Sequence, residues 1–151
     1  MLKRSLHLPS PGTETFFLWG PRQTGKTTLL QSTYPDAVYI DLLKAEEYRR
    51  YLNNPEYLRQ EILSRDETPF VVIDEVQKLP ILLDEVHWLH ENRNIHFALC
   101  GSSARKVKRG HANLLGGRAI RYEVFGLVSS ELSSDFELNR LLNTGALPRI
   151  I

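Results

Sequence analysis

Gly20-Pro21-Arg22-Gln23-Thr24-Gly25-Lys26-Thr27-Thr28 is the stretch that decides the fold. It fits the pattern Gly, four residues of any kind, Gly-Lys-Ser/Thr. Gly20 and Gly25 allow backbone turns in which a Cβ would clash. Such a turn points successive N–H groups inward and makes a nest for phosphate oxygens. Lys26 is placed to reach β- and γ-phosphates, and Thr27 to offer its hydroxyl to Mg²⁺. A helix beginning here aims its positive dipole end at the same anion. The competing reading is an ordinary Gly/Pro turn with a stray lysine. Context decides between them, because the phosphate loop needs a strand before it and a helix after it. Thr15-Phe16-Phe17-Leu18-Trp19 is a compact β-branched and aromatic run, and Thr27 to Gln31 continues as a helix.

Outward from the loop, strands and helices alternate. Residues 1–14 form a lead-in, with helical character up to Leu8, broken by Pro9-Ser10-Pro11-Gly12. A strand over 15–19 and a helix from Lys26 to about Thr33 follow. Tyr34-Pro35 ends that helix, since proline disfavours αR geometry in the residue before it. Residues 37–42 read as a second strand. Helical stretches follow around Leu43 to Leu52 and from Pro55 through Leu63. Phe70-Val71-Val72-Ile73-Asp74-Glu75 is a third strand, and its unbroken apolar run suits a parallel strand buried on both faces. Pro80 opens a helix reaching Asn92. Residues 95–101 form a fourth strand and 118–125 a fifth, more alternating and nearer an edge. Ser102 to Gly117 is polar, basic and helical in part, and Ser129 to Leu142 reads as a last helix. The order predicts an α/β three-layer fold with a parallel sheet covered on both sides. The domain is read as residues 15–142, with 143–151 as a tail. The abrupt apolar end at Arg149-Ile150-Ile151 is read either as a cut in a longer parent or as a tail packed on the sheet.

Composition narrows the class. The chain has 151 residues, 42% apolar and 25% charged, which is a globular and not a disordered balance. A net charge of +1 supplies no global field for nucleic acid or membrane. No apolar run approaches membrane-spanning length. Cys100 is alone, inside an apolar run, and reads as a small buried hydrophobe; with no secretory signal at the start, the cytoplasm is the expected compartment.

Three further stretches carry chemistry. Val71-Val72-Ile73-Asp74-Glu75 is an apolar strand ending in acids downstream of a phosphate loop, the Walker B arrangement. Asp74 would hold Mg²⁺ opposite Thr27, and Glu75 would take a proton from the attacking water. The competing reading is two solvated acids at a strand end. Ser102, and after it Ser103, follows strand four, where parallel sheets bind ligands. Its hydroxyl either contacts a γ-phosphate or attacking water, or caps a helix. Arg118 either stabilises phosphoryl transfer in a neighbouring subunit or is a surface cation. Arg105, Lys106, Lys108, Arg109, His111 and Arg121 crowd the same region, as a backbone-binding patch for DNA or as a solvated face. Asp41, at the end of strand two, is either second to the metal or a turn residue. Trp19 and Trp88 read as core.

In these motifs the chain resembles the P-loop ATPases of the AAA+ superfamily, and more narrowly those with a Gly-Pro-Arg-Gln-x-Gly-Lys-Thr-Thr loop. The resemblance runs through Asp74-Glu75-Val76-Gln77-Lys78-Leu79-Pro80, Gly101-Ser102-Ser103-Ala104, Leu115-Gly116-Gly117-Arg118 and Gly126-Leu127-Val128-Ser129-Ser130-Glu131, about residues 15–135. It implies a five-stranded sheet of order 5-1-4-3-2, Mg-ATP bound and hydrolysed to ADP, and a further C-terminal domain. It also implies a helical lid, for which residues 136–151 are too few. The phosphate loop Gly20, Pro21, Arg22, Gln23, Thr24, Gly25, Lys26, Thr27 and Thr28 would bind nucleotide. The alternative is a nucleotide-gated binding module that hydrolyses little. A small-molecule kinase lacks a clear acceptor site, and a GTPase lacks an Asn-Lys-x-Asp motif.

Overall fold

The computed structural model describes residues 7–21, 25–102 and 119–123. Five strands lie in one sheet: β1 (Phe16–Trp19), β2 (Val38–Asp41), β3 (Val71–Asp74), β4 (Phe97–Gly101) and β5 (Ile120–Glu123). Their order is β2-β3-β4-β1-β5 and all neighbours are parallel. This is the order 5-1-4-3-2 read from the other edge. Strands β1, β3 and β4 are buried at every position, which is why their sequences are unbroken apolar runs. β5 lies at an edge and is largely exposed, which is why its sequence alternates.

Alternate residues of each strand feed two cores. Phe16, Leu18, Val72, Ala98 and Cys100 pack with Leu30 of α1 (Lys26–Thr33) and with Tyr34, the residue just after that helix. Phe17, Ile40, Val71, Ile73, Phe97 and Leu99 form the other core with α2 (Ala45–Asn53), α3 (Tyr57–Leu63) and α4 (Leu82–Arg93). The sheet is therefore the middle of three layers. Parallel pairing sets the rows: Asp41, Asp74, Cys100, Leu18 and Tyr122 stand side by side. The carboxyl ends of the strands thus meet along one edge, where crossover loops gather.

Several boundaries differ from the sequence expectation. Glu75 lies outside β3, in the left-handed region at φ 59°, and opens a short 3-10 turn over Val76–Lys78. Helix α4 begins at Leu82, with Pro80 before it. β3 and β4 start one and two residues later than expected. His7 and Leu8 are not helical; Ser10 to Thr13 is instead a turn, with Gly12 at φ 75°. Trp19 is buried and stacked on Phe17, whereas Trp88 is half-buried, between Arg59 and Arg93. The expected helices in Ser102–Gly117 and Ser129–Leu142 fall almost wholly outside the described residues. Among the described residues no helix is long and apolar enough to cross a membrane.

Candidate active site

The carboxyl edge of β1, β3 and β4 brings four sequence stretches together. Gly20, just past β1, donates its N–H to Gly101 O at the end of β4, 3.2 Å away. This bond fixes where the loop leaves the sheet. Gly25 adopts φ 85°, ψ 18° as the residue before α1, a left-handed conformation that a Cβ would strain. Gly25 has no side chain with which to cap this helix, so among the described residues its first N–H groups are left without a side-chain cap.

Lys26 is buried, and its ammonium is satisfied by the loop itself. Nζ donates to Gly20 O at 2.6 Å and to Pro21 O at 2.8 Å. A buried charge needs such partners. Thr27, exposed at the first turn of α1, donates from Oγ1 to Asp74 Oδ2 at 2.8 Å. The Tyr39 hydroxyl donates to the same Oδ2 at 3.2 Å. Burial, and then the Asp74 charge, push the Tyr39 hydroxyl far above its ordinary pKa, so it stays a donor. Asp74 is only 3% exposed, at the tip of β3. Beside it, Cys100 has its thiol pushed up by burial and by Asp74. Thr27 and Asp74 are the adjoining oxygen donors that could hold a hard divalent cation.

Glu75 follows immediately and is 7% exposed. A left-handed conformation in a non-glycine residue costs of order 1 kcal/mol and concentrates at functional sites. Gln77 Nε2 donates to Glu75 Oε2 and, at 3.1 Å, to Ser102 Oγ. Ser102 sits one residue past β4, half-buried. The structure therefore groups Gly20, Gly25, Lys26, Thr27, Asp74, Glu75 and Ser102. Pro21 lies at the loop's entrance, and Thr28 is exposed on α1. Asp41 is not joined to this group by a side-chain bond: its Oδ1 accepts from Leu43 N at 3.0 Å, a turn role. Arg22, Gln23, Thr24, Ser103 and Arg118, with the basic residues 105–111, lie outside the described residues.

Two members were not foreseen. Tyr39 sits in Val38-Tyr39-Ile40-Asp41, where an aromatic residue reads as an ordinary strand former. Gln77 lies within the quoted Asp74–Pro80 motif, but its sequence neighbours give no sign of a polar contact to Ser102, 25 residues away.

The architecture matches solved structures. These are ORC2 of Aeropyrum pernix in its ADPNP–ADP complexes (15% identity, 85% of this chain and 49% of that one, TM-score 0.57), AMPPCP-bound DnaA of Aquifex aeolicus (19%, 91% and 52%, 0.58), and a Walker-type ATPase of Pyrococcus abyssi (16%, 89% and 59%, 0.58). At these identities the likeness is one of fold, and the chain spans only about half the length of the first two. No curated protein matches the chain. A model of the AAA domain matches residues 13–133, and the chain accordingly belongs to the AAA domain family.

Proposed function

We propose that this domain binds ATP with Mg²⁺ and hydrolyses its β–γ phosphoanhydride, as the motor or switch module of a larger protein. One observation carries the reading: the Thr27 hydroxyl is hydrogen-bonded to the Asp74 carboxylate, beside a buried lysine ammonium and a second buried acid. The loop from Gly20 to Thr28 would wrap the phosphates. Lys26 would exchange the Gly20 and Pro21 carbonyls for β- and γ-phosphate oxygens. Thr27 and Asp74 fit a magnesium ion, since both offer hard oxygen and together leave most of the ligand shell to water and phosphate. That ion, when bound, would neutralise charge on the phosphates. Glu75 would accept a proton as water oxygen bonds to the γ-phosphorus and the bond to the bridging oxygen breaks. Ser102 would contact the γ-phosphate or that water, and Arg118 would act on a neighbouring subunit. The C-terminal domain expected of such proteins is the partner we propose this module drives.

A second reading is a nucleotide-gated module with little turnover. On this reading the Gln77 bridge from Glu75 Oε2 to Ser102 Oγ would serve as a link that senses the bound nucleotide, in place of steadying a base. Glu75→Gln separates the two. On the ATPase reading it keeps ATP binding and lowers phosphate release by roughly 10²- to 10⁴-fold, the usual weight of a general base. Unchanged release would remove Glu75 from the role. Tight ATP binding without release in the wild type would favour the gated module.

A further inference from the structure

Gln77 is 6% exposed and two residues beyond Glu75, on the 3-10 turn. Its amide nitrogen donates to both Glu75 Oε2 and Ser102 Oγ. Both N–H groups are then in use. Its Oε1, by contrast, is buried with no hydrogen-bond partner among the described residues. That oxygen presses on the end of β4: a Cβ on Gly101 would lie 2.1 Å from it. A buried unpaired carbonyl is costly, and in a native structure it asks for a reason. Turning the amide over would set this oxygen against the Glu75 carboxylate. The carboxylate thus dictates the orientation, and the orphaned acceptor follows from giving both N–H groups to Glu75 and Ser102. Gly101 leaves the room this requires.

We infer that Gln77 is a positioning residue that fixes the Glu75 carboxylate and ties it to the Ser102 hydroxyl, so that the proton acceptor and the group beside the γ-phosphate are set as one unit. The inference rests on Glu75 acting as proposed above. The backbone at Glu75 is held in the left-handed region, and Gln77 holds its side chain from the other end. A group so fixed needs little reorganisation when water attacks the γ-phosphorus.

The tie is tested without turnover by following the Gln77 side-chain amide by NMR in the full chain. Its signals are expected to be protected from solvent exchange and to shift in both Glu75→Gln and Ser102→Ala, which leave Gln77 intact. Signals that ignore either substitution would overturn the tie. The positioning role is tested by Gln77→Met, which keeps the length and removes both donors. It is expected to lower kcat on the order of 10- to 100-fold while leaving KM and the Kd for ATP unchanged. An unchanged kcat, or a parallel loss of nucleotide affinity, would overturn that role. Wild-type protein that binds ATP without releasing phosphate, yet shows the amide shifts, would overturn the ATPase reading and Gln77's catalytic purpose with it, while the tie stood.

Discussion

The Thr27 hydroxyl donates to the Asp74 carboxylate at 2.8 Å, joining residues 47 positions apart. The bond spans the mouth between the helix that leaves the phosphate loop and the tip of β3. Parallel pairing makes it possible. With β4 between them, Asp74 at the end of β3 stands level with Leu18, one residue before the end of β1, so the tip of β3 lies beside the segment from which α1 follows.

If these two oxygens are the cation's seat, Asp74→Asn should selectively weaken the magnesium-dependent part of ATP binding. The side chain keeps its shape and loses its charge. A loss of about 10- to 100-fold is expected for a group that orients a metal's surroundings. The measurement is the Kd for ATP with and without Mg²⁺. A ratio equal to that of the wild type would show that Asp74 does not sense the ion.

Tyr39 supports the same carboxylate from β2. Tyr39→Phe removes a half-buried donor and leaves Oδ2 to Thr27. Loss of a hydrogen bond to a charged acceptor is expected to cost about 1–2 kcal/mol of stability, read as a lower urea midpoint with unchanged slope. The magnesium effect on ATP affinity should fall with it. A variant as stable as the wild type would mean that the contact contributes nothing net.

Gly101 closes β4 where the Gln77 and Trp19 side chains converge. A Cβ there would meet Gln77 Oε1 at 2.1 Å and Trp19 Cζ3 at 2.6 Å. Gln77 can swing away only by leaving Glu75, and Trp19 is buried and stacked on Phe17. Gly101→Ala is therefore expected to cost about 1–3 kcal/mol, the usual range for overpacking. The loss is read in thermal or urea unfolding, and the Gln77 amide signals should move as well. Neutral behaviour would show that the strand end yields readily.

The sheet was legible because its strands declare themselves. Val71 to Ile73 and Phe97 to Cys100 are unbroken apolar runs, which a doubly covered parallel sheet requires. Lys26, Thr27 and Asp74 were legible because each stands at a fixed offset from a turn or strand end. What escaped was set by contact across the fold. Glu75 reads as one more strand residue until its φ of 59° is seen, since nothing in Asp-Glu-Val marks a left-handed break. Tyr39 reaches Asp74 from a neighbouring strand, and Gln77 reaches Ser102 from 25 residues away. Such bonds follow from strand order and register, which local periodicity does not encode.

At the other end of β4, His96 is expected to give the fold a pH dependence. Its Nδ1 is buried without a partner among the described residues, and its ring meets His90 edge-on at 5.4 Å. Burial, and then the His90 charge, hold its pKa below the ordinary value, with Glu14 opposing. An unfolded histidine takes its proton near about 6.5. Between that value and the lower folded one, the unfolded chain binds more protons, so stability rises with pH. The contribution is complete above about 6.5 and is lost as pH falls toward the folded value. The urea midpoint should therefore drop between about pH 7.5 and pH 5.5, a window above most carboxylate titrations. In His96→Gln, which cannot titrate, the drop should be smaller. Equal drops in the two proteins would place the dependence elsewhere.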